Sequence, residues 1–444
     1  MTQFYRIARR APSIAFVFLE RPAMLTASKP LYPRGYRVGR SFLLRSSVTS
    51  PNSKTTSYLT NLTSLRGVAA LLTVIFHVDL MLGDSAGGLL RITHSGIINR
   101  LDLMVDFFFI LSGFIMVHVY GTGFSRGVTG STFKRFTLAR FARVYPLHFA
   151  TLLYAIVLFA VAAILGLPTL PVMQIENSGY SIVTNLLLLQ SMNLHHWFTW
   201  VHASWSISTE WWMYMLFPFL VVPFSQLSGR GRAVVAALAF AGYVGIMYFV
   251  IPIVSVPASM PFLKVNPADL SINVAYQYGI LRCFCGFVLG MAVYGAYARQ
   301  WGRTWLANGY TLLGLVGCEA LCLHLSAPDA ITVMCDPLIL LSAAYGSPRA
   351  NTVLGSRIMR TIGDWSFSIY LTHQPLLFTY YEVQAWLARG QPVVVSSAPP
   401  TGMLYGWGVA AVVIGAALVV SAGSYHLVEV PARRRINQWA GSAA

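Results

Sequence analysis

Residues 63–80 read TSLRGVAALLTVIFHVDL, an apolar run interrupted by Arg66 and His77. About 20 such residues cross a bilayer as a helix, so the run reads as a transmembrane span. An ionisable group inside such a span faces a partner or a cavity, because lipid satisfies neither its charge nor its hydrogen bonds. Arg66 and His77 lie eleven residues apart, which on a helix is about three turns and about 16 Å along nearly the same face. They therefore share one inward stripe.

The rest of the chain extends this reading. It has 444 residues, 56% hydrophobic and 10% charged, whereas a soluble domain is about one quarter charged. This is the composition of an integral membrane protein. Further apolar runs lie near 103–120, 143–167, 205–224, 233–253, 276–298, 309–325, 330–346, 361–383 and 403–427, with a shorter one at 181–193. None alternates as the strands of a membrane barrel do. The expected fold class is all-α: a polytopic integral membrane helical bundle of about ten transmembrane helices plus one short re-entrant or half-buried helix.

The short run decides the topology. With 181–193 left uncrossed, loops on one side hold Arg91, Arg100, Lys264 and Arg389, and those on the other side hold fifteen Lys and Arg, including Arg126, Arg140, Arg143, Arg230, Arg357 and Arg433 to Arg435. By the positive-inside rule both termini are cytoplasmic. In this frame His77, Asp106, Glu210 and His373 fall in the outer half, and Arg66, Arg140 and Arg143 at the cytoplasmic side.

Residues 1–57 stand apart as a basic extension. Residues 1–60 hold ten Lys and Arg against the single acid Glu20, with Pro22, Pro30, Pro33 and Pro51 between them. Such composition reads as a disordered or membrane-surface tail, with organellar targeting and an upstream start codon as alternatives. Residues 58–430 form the membrane domain and 431–444 a short basic cytoplasmic tail. Nothing in the +17 net charge points to nucleic acid. The five cysteines, Cys283, Cys285, Cys318, Cys322 and Cys335, are odd in number and lack a C-x-x-C pair. They read as buried small hydrophobes and imply neither a disulfide framework nor a zinc site.

Polar residues inside other runs supply candidates for chemistry. Asp106, in LMVDFFFILSGF, is a possible partner that fixes the tautomer of His77, or an interfacial acid touching water. Arg140 and Arg143, in RFARVYP, are three apart at the cytoplasmic surface. They form either a phosphate clamp or an ordinary topology signal that meets anionic lipids. Ser206, Glu210 and Tyr214 recur at i, i+4 and i+8, and Ser366, Tyr370 and His373 at i, i+4 and i+7, giving two more polar stripes. Arg66 alternatively anchors its helix by snorkelling, and His77 alternatively makes an interhelical hydrogen bond.

Together these segments resemble the integral membrane acyltransferase-3 family, the O-acyltransferases of bacterial surface glycans, antibiotics and lipids. The resemblance covers about residues 58–430. It rests on LRGVAALLTVIFH, VDFFFILSGF, RFARVYP, SWSISTEWWMY and WSFSIYLTH in combination. It implies transfer of an acyl group, foremost acetyl, from cytoplasmic acyl-CoA to a hydroxyl of an exopolysaccharide or lipid-linked sugar at the outer face of the bacterial inner membrane. His77 is then the essential histidine, as general base or as acyl carrier. Arg66, Arg140 and Arg143 are implied to hold acyl-CoA, Glu210 and Asp106 to support the histidine, and His373 to shape the outer cavity. A thioester carries its own good leaving group, so no metal is required. The chain ends soon after YHLVEVPARRRINQWAGSAA, so delivery to the acceptor is expected to fall to the bundle or to a separate partner.

A transporter or flippase for a glycan or lipid precursor also needs a polar cavity inside the bilayer, and is the chief alternative. It differs in moving its substrate without consuming acyl-CoA. A non-catalytic membrane scaffold is the second.

Overall fold

The computed structural model describes residues 53–82, 96–169, 171–258, 264–387 and 403–442. The extension before residue 53, the segment with Arg91 and the loop with Arg389 lie outside them. Among the described residues every regular element is helical. The helices used below are α1 Ser53–Leu82, α2 Met104–Tyr120, α3 Gly130–Ile164, α4 Gly179–Leu186, α5 Trp205–Gln226, α6 Gly229–Gly245, α7 Gly279–Ala298, α8 Gly309–His324, α9 Cys335–Tyr345, α10 Pro348–Leu354, α11 Arg357–Leu387, α12 Met403–Ser424 and α13 Val430–Ser442. Each of the ten long apolar runs falls on one of them.

The number of spans is smaller than expected. Six helical stretches among the described residues are long and apolar enough to cross a membrane: Thr60–Met81, Ile98–Phe124, Gly130–Ile164, Gly229–Ile253, Gly279–Ala298 and Ala410–Trp439. A seventh is added if Asp329–Tyr345 and Pro348–Leu354, bent by 97°, count as one. The expectation of about ten is corrected accordingly. α5 and α11, with 22 and 31 residues, have the length but carry the polar stripes that dilute their apolarity. α8, with 16 residues, is about 24 Å long and falls short of the roughly 30 Å hydrocarbon core.

The short run at 181–193 does not cross. α4 has eight residues, about 12 Å, and starts at a capping box between Ser178 and Ser181. The chain then turns through Leu188, Asn193 and Trp200, all at positive φ. Polar side chains tie this segment to the bundle. The Trp212 indole of α5 donates to the Leu188 carbonyl at 2.9 Å, and Tyr145 OH of α3 donates to the Leu186 carbonyl at 2.9 Å.

The bundle is apolar outside and charged inside. Leu153, Val157, Val161 and Ile164 of α3 and Val412 and Val419 of α12 are exposed, whereas Arg66, Arg140, Arg143 and Arg282 are among the largest fully buried side chains. A belt of exposed aliphatics suits lipid rather than water.

Glycines set the closest helix pairs. A Cβ on Gly67 of α1 would stand 2.6 Å from the Gly363 nitrogen of α11. Gly113 of α2 and Gly290 of α7 lie against the carbonyls of Phe287 and Ile110. Such small-residue crossings bring backbones close where a hydrophobic force between helices is absent. α1 pairs with α11 in parallel, since Arg66 meets Gly363 and Ser366 while His77 meets His373.

α12 runs into α13 through a π turn at Tyr425–Glu429. The expected tail 431–444 is thus mostly helix, and α13 packs against α3.

Candidate active site

The α1–α11 pair builds the centre of the site. Arg66 Nε donates to Ser366 Oγ at 2.6 Å and Arg66 Nη2 to the Gly363 carbonyl at 2.5 Å. Farther along both helices His77 faces His373, with ring centroids 4.7 Å apart at 49°. The shared inward stripe of α1 is thereby observed, and Arg66 and His77 are both buried.

Each imidazole commits one nitrogen to its own helix. His77 Nδ1 lies 3.0 Å from the Thr73 carbonyl, and His373 Nδ1 contacts the Tyr370 carbonyl. A carbonyl only accepts, so in the neutral ring Nδ1 carries the proton and Nε2 keeps its lone pair. Both Nε2 atoms are buried and have no hydrogen-bond partner. Two basic nitrogens therefore face the same region.

The stripes of α5 and α11 meet beside them. Tyr370 OH donates to the Ala203 carbonyl at 2.8 Å and lies 2.8 Å from Ser206 Oγ. One turn along α5, Glu210 Oε1 accepts from Ser112 Oγ at 3.1 Å and from Tyr214 OH at 2.7 Å, while its buried Oε2 has no partner.

The arginine pair of α3 differs from its expected place. Arg140 and Arg143 are buried, not at the surface. Arg140 Nη2 donates to Tyr120 OH at 2.5 Å, and its guanidinium lies 4.8 Å from the Tyr120 ring centre and 5.7 Å from that of Tyr214. Arg143 forms an ion pair with Glu429, whose other oxygen accepts from Ser368 Oγ at 3.1 Å. Burial of a guanidinium needs such partners, and inward-facing ones draw the pair into the bundle. Arg66, Arg140 and Arg143 bring three guanidiniums to this arginine level, beside the carboxyl groups of Glu210, Glu429 and Asp364.

Asp106 also differs from expectation. It does not orient His77, whose Nδ1 is taken by Thr73. Its carboxylate accepts from Arg282 Nη2 at 2.6 Å and from Tyr243 OH at 2.9 Å, with both ionic partners fully buried. A guanidinium one helix away is the stronger attractor for a carboxylate in a dry interior. Arg100 and Asp329 form a second ion pair, at 3.0 Å. They line a polar cavity of about 30 Å³ with Phe76, Asn99, Asp102 and Asp269, next along the chain from His77.

Sequence reasoning missed Arg282 and Glu429. A lone arginine in GILRCFCG and a lone acid in YHLVEVP were the available signals. It also missed that Cys318, Cys322 and Cys335 gather with their sulfurs within 4.8 Å of one another, Cys318 being exposed.

Comparison with known proteins places the chain in a family. Residues 59–425 match the model of a family described as an acyltransferase domain. The chain is 27% identical over 350 residues to acyltransferase MdmB of Streptomyces mycarofaciens, covering 71% of this chain and 78% of that protein. It is 33% identical over 159 residues to protein 2 in the picA locus of Rhizobium radiobacter, covering 34% of this chain and 75% of the relative. No solved structure matches the chain.

Proposed function

Since this chain belongs to the acyltransferase family matched over residues 59–425, we propose that it moves an acyl group, foremost acetyl, from acyl-CoA to a hydroxyl of a surface glycan, exopolysaccharide or lipid-linked sugar. Residues 58–430 are the working unit, set in the bacterial inner membrane with both termini cytoplasmic. The observation that carries this reading is the buried, partnerless Nε2 of His77, held in its tautomer by Thr73 and set along the same helix face as the arginine level.

In the direct form of the reaction, Nε2 takes the proton of the acceptor hydroxyl as its oxygen attacks the thioester carbonyl. The carbon–sulfur bond then breaks, and the departing thiolate recovers the proton from the imidazolium. In the relayed form, Nε2 itself attacks the thioester carbonyl and the carbon–sulfur bond breaks to release the CoA thiolate. The acceptor oxygen then takes the acyl group from Nε2, and the hydroxyl proton passes through His373 Nε2 to the thiolate. Both forms use the same lone pair. Arg66, Arg140 and Arg143 stabilise the anionic donor, and the partnerless Glu210 oxygen and His373 Nε2 are further groups for the reacting atoms.

Purified protein in liposomes, given acetyl-CoA and candidate sugars, is expected to release free CoA, and His77→Ala protein is not. Label retained on the protein without an acceptor marks the relayed form. Glycan movement across the bilayer without CoA release would instead support a transporter.

A further inference from the structure

We propose that Cys318, Cys322 and Cys335 form a three-thiolate site for one cation of the zinc class, fastening α8 to α9. The two cysteines of α8 are four apart and so share one face of the helix, while Cys335 opens α9 after the reversal at 325–334. All three sulfurs lie within 4.8 Å of one another. With a metal–sulfur bond of about 2.3 Å, three thiolates around one ion stand about 3.8–4.0 Å apart, so small side-chain adjustments complete the site.

The donor set selects the ion. Three soft sulfurs favour Zn²⁺, Cd²⁺ or Cu⁺ over Mg²⁺ or Ca²⁺, which take oxygen ligands. Cys318 is exposed on a helix whose outer side carries exposed aliphatics, Cys322 is half-buried and Cys335 is buried, so the cluster lies at the edge of the bundle with α9 as its fixed floor. Binding replaces three thiol protons, which pass to solvent. Carboxyl groups flank the thiols in sequence at Glu319 and Asp336, and the buried Asp336 Oδ1 has no hydrogen-bond partner. An acid so placed is available to the surroundings of a bound cation.

The packing gives the site a purpose. α9 contacts α1, α2 and α7, whereas the main partner of α8 is α9. A shared ion would tether a peripheral helix to the core, and α8 is too short to be held by crossing the bilayer alone. No step of the proposed acyl transfer depends on it.

The test uses the full chain, purified in lipid nanodiscs under reducing conditions and equilibrated with Cd²⁺ as the probe. Wild type is expected to keep one equivalent after dialysis, with sulfur-only coordination by three ligands in X-ray absorption. Cys322→Ser and Cys335→Ser should each weaken binding by more than the roughly 10–100-fold that outer-shell changes cost. Cys285→Ser, outside the cluster, should bind as wild type does, and chelation should speed amide exchange in α8. Failure of correctly folded wild type to retain Cd²⁺, retention undiminished in both cluster variants, or a disulfide among the three thiols in the purified protein would each overturn the proposal.

Discussion

His77 and His373 present partnerless Nε2 atoms from two parallel helices whose rings stand 4.7 Å apart. The pairing is fixed from behind, because each Nδ1 is held by a carbonyl one turn back on its own helix. His77→Ala is expected to lower CoA-dependent acyl transfer by about 10²–10⁴-fold, the usual worth of a positioned acid–base group. Turnover and thermal midpoint should be measured on the same preparation. Undiminished turnover in folded mutant protein would sink the assignment.

Asp106 and Arg282 predict a stability effect. Removing one member of a buried ion pair strands the other at a cost of about 3–5 kcal/mol, whereas replacing both with apolar residues of similar volume is often neutral. Asp106→Ala should therefore lower the thermal midpoint sharply. The double change Asp106→Leu with Arg282→Met should recover most of the loss. A midpoint as low in the double variant as in the single one would show that the pair does more than satisfy itself.

The α1–α11 crossing predicts a steric effect. Gly67→Ala puts a methyl group 2.6 Å from the Gly363 nitrogen, and overpacking of this kind costs about 1–3 kcal/mol. Activity should fall as well, since the same crossing sets the spacing of Arg66 and His77 against α11. Gly314→Ala, which meets nothing within 4 Å, serves as the control and should be neutral or stabilising by up to about 1 kcal/mol, the helix propensity of Ala over Gly.

The segment that follows α3 predicts a pH dependence. His195 Nε2 lies 2.8 Å from Thr184 Oγ1 and Nδ1 lies 3.4 Å from Glu176. Burial pushes its pKa below the ordinary histidine value, and Glu176 only partly opposes this. Protons then bind the unfolded segment more readily than the folded one. Its stability is full above about pH 6.5 and declines as pH falls through the lowered pKa. Amide exchange across 179–201 should quicken between about pH 7 and pH 5, and His195→Asn should flatten that response.

Much of the site was legible in the sequence because ionisable residues inside apolar runs are conspicuous. Arg66 with His77, Ser206 with Glu210 and Tyr214, and Ser366 with Tyr370 and His373 each lie on one helix, where spacing alone fixes a common face. Pairings between helices were not legible. Asp106 is as compatible by spacing with a distant histidine as with Arg282, and only the packing of α2 on α7 decides. Arg140 and Arg143 read as a surface pair because no local pattern announces Glu429, which lies 286 residues away. The span count failed for a related reason: the helices that carry the most polar atoms inward are the least apolar.

The π turn at Tyr425–Glu429 makes the chain's length at that point as important as its composition. An inserted residue within one turn gives the helix two phases, one facing lipid along α12 and one aiming Glu429 at Arg143. Deleting a single residue such as Val428 would restore one continuous phase and rotate everything beyond it by about 100°. Either Glu429 or the following helix would then point the wrong way, so this segment tolerates exchange of side chains far better than any change in their number.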